Sequence, residues 1–112
     1  MPKYVDDVFH ALADPSRRRM VERLAAGPAT VSELARPLPM SMPAVVQHLR
    51  ILQDSGLVRS SKTGRVRTCE LDREVLDAAE SWFAAQRRVW DQRLDDLGEY
   101  LSSTDHEQGR RR

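Results

Sequence analysis

The chain has 112 residues, of which 40% are hydrophobic and 31% charged, and its formal net charge is +1. That length suits one compact domain with a modest core, and that composition excludes wholesale disorder. A single cysteine, Cys69, excludes an internal disulfide framework, and no apolar run reaches the roughly 20 residues a membrane span needs.

Asp6 and Asp7 break up any apolar leader near the start, so the expected compartment is the cytoplasm. The charge is unevenly placed. Between Asp14 and Arg67 stand ten Lys and Arg against four Asp and Glu; from Arg73 to Ser102 the count is four against seven. A basic middle and an acidic last segment point to one face for a polyanion and another for a different partner.

Val5, Val8, Phe9 and Leu12 repeat at helical spacing, which predicts a first helix over about Val5–Ala13. Asp14 then caps a second helix with Pro15 at its first position; it buries Met20, Val21 and Leu24, and Gly27-Pro28 ends it. Thr30-Val31-Ser32-Glu33 is a capping box, opening a helix that Pro37 and Pro39 keep short. Ser41 caps a fourth helix ending near Asp54-Ser55-Gly56. The period then changes. Leu57–Lys62 and Val66–Leu71 read as a hairpin around Thr63-Gly64-Arg65. Asp72 caps a last helix, where Leu71 and Leu76 can form a hydrophobic staple and Leu76, Phe83, Trp90, Leu94, Leu97 and Leu101 hold a seam that Glu80 and Arg87 interrupt. Residues 1–102 form the expected domain, and 103–112 a polar tail without fixed structure.

The third and fourth helices, joined by a turn of about four residues, suit a helix-turn-helix. On the fourth, Val45, Leu49 and Leu52 fall on one stripe that should face the core. Pro43, Val46, Gln47 and Arg50 fall opposite. Gln matches adenine, Arg matches guanine or phosphate, and Val matches a thymine methyl, so this face suits base edges. An amphipathic helix with one exposed valine is the plainer account. The hairpin tilts the balance, because Arg59, Lys62, Arg65 and Arg67 are four cations with no anion between Leu57 and Cys69. Such a wing neutralises phosphates beside a duplex, although cations also deter strand pairing at a sheet edge. The expected DNA-contacting set is Ser41, Met42, Pro43, Val46, Gln47, His48 and Arg50 on the helix, with the four cations on the wing.

Four blocks, "ALADPSRRRMVERL", "VSELA", "SMPAVVQHLRILQDSGLV" and "GRVRTCELD", resemble winged-helix repressors of the ArsR type, over roughly residues 5–101. The resemblance implies a mostly α fold with one small β-hairpin, a winged helix-turn-helix of order α-α-α-α-β-β-α. It implies a homodimer paired through the first and last helices, with a recognition helix at about Met42–Asp54 and a wing at about Arg59–Arg67. The dimer contacts would be Val5, Val8 and Phe9 with Phe83, Trp90, Leu94, Leu97 and Leu101. The blocks "DPSRRR" and "GRVRTC" are similar to a metal-free branch. Position 46 is commonly a small hydroxyl residue in such helices; here it is Val46, which bears on the operator sequence.

Independently of the resemblance, a last helix of about 30 residues is roughly 45 Å long, more than a domain this small covers from one chain. A second copy is the economical cover.

Other chemistries find few residues. A thiolate metal site needs paired cysteines, and the third helix has neither Cys nor His. The last helix has no His between Arg73 and Ser102, and His106 with Glu107 lies in the polar tail, so no metal or other cofactor is expected. Cys69 reads as a packed small side chain, with a redox switch favoured by Arg67 as the alternative. His48 reads as packed or touching phosphate, His10 as a seam or surface residue, and Arg17, Arg18 and Arg19 as a solvated run of which one or two reach phosphate. No nucleophile–base pair suggests an enzyme and no catalytic residue is assigned. The expected partners are a double-stranded DNA operator and a second copy, with no membrane; the residues do not identify a small-molecule effector. A metal- or redox-responsive repressor and a protein–protein adaptor without DNA binding are the competing readings, and the adaptor has no need of a cationic hairpin.

Overall fold

A computed structural model describes the backbone of residues 2–111 and the side chains of residues 2–104. The order is α1 (Lys3–Leu12), α2 (Pro15–Ala25), β1 (Ala29–Thr30), α3 (Val31–Ala35), α4 (Met42–Asp54), β2 (Val58–Thr63), β3 (Val66–Leu71) and α5 (Arg73–Arg111). The chain divides into two units, Met1–Ala79 and Glu80–Arg112.

Local chemistry sets each boundary. The Asp14 carboxylate accepts from the Arg17 N–H at 3.0 Å and Pro15 opens α2, where a missing N–H costs nothing. Thr30 and Glu33 complete the capping box, each accepting from the other's backbone N–H at 3.1 Å. Ser41 Oγ accepts from the Ala44 N–H at 3.3 Å to start α4, and Asp72 accepts from the Glu74 and Val75 N–H groups to start α5. Gly56, at φ +83°, takes the left-handed turn just past α4 that a β-carbon would resist.

The sheet is antiparallel in the order β1-β3-β2, with Ala29 opposite Cys69 and Ser60 opposite Cys69 from the other side. The hairpin turns on Gly64 and Arg65. Gly64 has φ +63° and no other residue in the turn is positive, the signature of a type II′ turn, which needs glycine at its first central position. β1 was not expected: two residues are too few to show alternation.

In the first unit Met20, Leu24, Leu34, Val45, Leu49, Leu52, Leu57 and Cys69 form the centre of the core. Val21, expected inside, is half-buried against it. Val5 and Val8, expected against a second copy, are already enclosed by this chain, at 0% and 2% exposure, and have no surface left for a partner. α1 instead presents Tyr4 to solvent, and Phe9 is half-buried.

The second unit is helical. α5 continues to Arg111 where the seam predicts an end near Ser102; the tail side chains His106 and Glu107 lie outside the described residues. Trp82 and Phe83 meet edge to face at 5.6 Å, and the Arg93 guanidinium lies 5.6 Å from the Trp90 ring centroid. Phe83, Trp90, Leu94, Leu97 and Leu101 remain more than half exposed within the single chain. No helix among the described residues is long and apolar enough to cross a membrane.

The Asp14 cap carries a pH signature. The Arg17 N–H that it accepts is the largest influence holding its carboxyl below the ordinary value, outweighing the smaller opposing effect of desolvation, with some help from the Arg17 charge. A depressed carboxyl stabilises the fold fully above its unfolded value, and that contribution is lost as the pH falls through the folded value. Replacing Asp14 by Ala should cost about 1 kcal/mol near neutral pH, as for other N-caps. Urea unfolding of parent and variant should show that gap closing as the pH drops below about 4.

Candidate nucleic-acid interface

The buried stripe of α4 leaves an opposite face outside the core, and on it Met42, Pro43, Val46, Gln47 and Arg50 line one shallow depression. Val46, at 42% exposure, is a branched apolar side chain held in the open with no protein surface over it. Beside this depression runs a groove of about 600 Å3, walled on one side by Met42, Val46 and Arg50 and on the other by Lys62, Arg65 and Arg67. Val31 and Ser32 of α3 also line it. Helix face and wing tip therefore border a single groove, to which α4 contributes Met42, Val46, Leu49, Arg50 and Gln53 and the wing contributes three cations.

Strand alternation decides which wing cations reach it. Side chains at 58, 60 and 62 share a face of β2, and in register with them stand 71, 69 and 67 of β3. Lys62 and Arg67 thus lie on the groove face with Ser60, whereas Arg59 lies on the other. Arg59 faces Glu70 across the ladder at 3.5 Å and reaches Asp72 at 3.9 Å. Of the four cations expected to flank a duplex, three line the groove and Arg59 is engaged with two carboxylates instead.

The helix residues divide as well. Ser41 is occupied as the cap of α4. His48 is half-buried, and its Nδ1 stands 3.1 Å from Arg17 Nη1 and 3.8 Å from Asp14 Oδ2. Gln47 and Arg50 are exposed, and neither side chain makes a hydrogen bond or ion pair among the described residues.

Two participants were not expected. Gln53 Nε2 donates to Ser60 Oγ at 3.0 Å, and Arg67 Nη1 donates to the same oxygen at 2.8 Å, so one serine links α4 to both strands of the wing. Gln53 follows Val46 by seven residues and Arg50 by three, so helical periodicity already placed it on the groove side. The second is Arg17. The run Arg17-Arg18-Arg19 reads as solvated, yet Arg17 is buried. Arg18 donates to the Leu12 carbonyl at 2.8 Å, and Arg19 is exposed.

Among the described residues no group of three or more His, Cys, Asp or Glu could hold a metal ion. Cys69 is fully enclosed in the core, and burial pushes its thiol up; the Arg67 charge pulls the other way and is the smaller effect. The Arg67 neighbourhood therefore does not make this thiol reactive. A thiol reagent should label native protein slowly at mildly alkaline pH and label urea-unfolded protein at the rate of a free cysteine. Equal rates in the two states would show that the wing strand opens readily.

A helix-turn-helix domain model matches residues 12–61. Over 67 residues the chain is 52% identical to the HTH-type transcriptional regulator Rv2034 of Mycobacterium tuberculosis, a match covering 60% of this chain and 63% of that relative. The chain thus spans somewhat less than two thirds of that relative's length. Several other curated relatives are named transcriptional or resistance-operon repressors. The crystal structure of an ArsR family transcriptional regulator is 47% identical, with a TM-score of 0.75, over 81% of this chain and 94% of that one. A homodimeric winged helix-turn-helix DNA-binding domain from Mycobacterium bovis, described as a possible ArsR-family regulator, is 25% identical, with a TM-score of 0.59, over 81% and 82%.

Proposed function

The chain belongs to the ArsR family of transcriptional regulators, and from that premise we propose that it is a sequence-specific DNA-binding repressor acting as a homodimer in the cytoplasm. The observation that carries the proposal is the single groove bordered by the free face of α4 and by the three wing cations. An α-helix fits the major groove, and a cationic hairpin beside it meets the phosphate backbone. Gln47 reads adenine through its amide, Val46 packs on a thymine methyl, and Arg50 takes guanine or phosphate. Lys62, Arg65 and Arg67 supply affinity that carries no sequence information. The complex represses by occupying its operator.

The dimer rests on α5. Its 39 residues make about 58 Å of helix, and Phe83, Trp90, Leu94, Leu97 and Leu101 lie within a narrow sector of its circumference. A second copy of the same stripe covers these apolar residues, and the homodimeric Mycobacterium bovis domain supports this choice of partner. The acidic residues that flank the stripe keep this end of the chain from competing for phosphate. Two α4 helices then enter successive major grooves about one helical turn apart, so the operator is an imperfect inverted repeat.

Sedimentation should give a dimer in dilute solution, and Leu94→Asp with Leu97→Asp should give a monomer. A folded monomer of the parent would contradict the pairing. Arg65→Ala removes one phosphate contact per protomer, so the slope of log affinity against log salt should shrink by about 2 for the dimer. Arg59→Ala, which removes a cation already facing two carboxylates, should leave the slope unchanged. Gln47→Ala should cost about 1–3 kcal/mol per half-site on operator DNA and little on a scrambled duplex. Equal losses on both would assign Gln47 to the backbone and remove it from base reading.

A further inference from the structure

Arg17 is the one charged side chain buried in the core among the described residues, at 8% exposure. A guanidinium removed from water is tolerated only when its donors find acceptors, and these do. Nε donates to the Ala11 carbonyl at 2.6 Å and Nη2 to the His10 carbonyl at 3.3 Å. Both are end carbonyls of α1, at the negative end of its dipole; that of His10 also accepts from the Ala13 N–H at 3.2 Å, so the guanidinium adds a second donor there. Nη1 reaches across to α4, where it lies 3.1 Å from His48 Nδ1. The Asp14 carboxylate, which caps α2 through the Arg17 N–H, lies 3.8 Å from the same imidazole nitrogen. Three helices thus meet on one guanidinium.

The contact has a consequence for α4. Val45, Leu49 and Leu52 hold that helix to the core by apolar burial, which is non-directional and tolerates small rolls about the helix axis. A hydrogen bond is directional. His48 adjoins Gln47, so whatever fixes His48 fixes where the free face points. We infer that Arg17 and His48 are positioning residues for DNA reading: the buried guanidinium sets the roll of α4 through the Nδ1 of His48. A guanidinium can only donate, so Nδ1 must accept and the ring hydrogen sits on Nε2. Contacts to base edges need placement within about 0.5 Å and 10–20°, a tolerance that apolar packing alone does not guarantee. The inference rests on α4 being the reading helix.

The imidazole has two nitrogens and two amide stand-ins. His48→Asn places an acceptor oxygen near the position of Nδ1; His48→Gln places its amide near Nε2; His48→Phe keeps a ring with neither. Each variant of the full chain is to be measured for melting temperature, sedimentation, and affinity on operator and scrambled duplexes. His48→Asn should keep the parent's ratio of operator to scrambled affinity. His48→Gln and His48→Phe should lose about tenfold of that ratio, while dimerisation and scrambled-duplex affinity persist. Retention by Gln with loss by Asn would show that Nε2 touches DNA directly, and an unchanged ratio in Phe would show that the contact positions nothing; either overturns the inference. A parent that fails to distinguish operator from scrambled DNA overturns the repressor reading, and the inference with it. A fold-independent check is the nitrogen NMR spectrum of DNA-free parent above the histidine titration range. It should show His48 with its hydrogen on Nε2 and Arg17 Nε–H protected from exchange; a hydrogen on Nδ1 overturns the inference by itself.

Discussion

Burial of Val45, Leu49 and Leu52 determines which side of α4 stays outside the core, and the remaining interface follows from that choice. A helix of thirteen residues with one stripe enclosed must turn its other stripe outward, whatever residues occupy it. Here those residues are Val46, Gln47 and Arg50, a set ill suited to plain solvation because it leaves a branched apolar side chain in water. The turn before α4, the Ser41 cap and the Gly56 exit fix where the helix starts and stops. Gln53, through Ser60, then ties its last turn to the wing. Position along the helix and position of the wing are thereby linked by a hydrogen bond between the two walls of the groove.

The wing shows how little composition says without geometry. Four cations in nine residues form one basic patch on paper, and pleating splits them between two faces. Arg59 meets Glu70 and Asp72 at exposed distances of 3.5 and 3.9 Å, pairs that add little stability in water. Their effect is to neutralise one cation and leave the groove-facing three uncompensated. The two-residue turn at Gly64 brings Arg65 to the tip beside them. In the proposed complex, affinity from these groups would be screened by salt and selection among sequences would depend on α4, so the two proposed functions fall on separate elements.

Much of this was legible in the residues. Caps at Asp14, Thr30, Ser41 and Asp72, each followed by apolar periodicity, placed the starts of four helices, and Gly64 between alternating runs placed the hairpin. Pairing that is non-local was hidden. β1 forms only because Ala29 and Thr30 meet Cys69 and Thr68, about forty residues on, and nothing in a dipeptide announces that. Arg17 looks like its neighbours Arg18 and Arg19 until the end of α1 and the middle of α4 are brought to it. Val5 and Val8 have the spacing of an interface stripe, and the chain itself encloses them. Arg59 and Gln53 differ from these: periods of 2 and 3.6 could have assigned each to its face, but the expected sets group Arg59 with the other wing cations and pass over Gln53. On α5 the seam residues Phe83, Trp90, Leu94, Leu97 and Leu101 stay more than half exposed within one chain, which is the observation from which the pairing is proposed.

Selection of bound duplexes from a randomised DNA pool by the purified 112-residue chain tests the central claim most directly. Two α4 helices related by a dyad should enrich an inverted repeat whose half-sites are centred about one helical turn apart, roughly 34–36 Å. A pool that emerges without dyad symmetry, or unenriched over its input, would contradict the account.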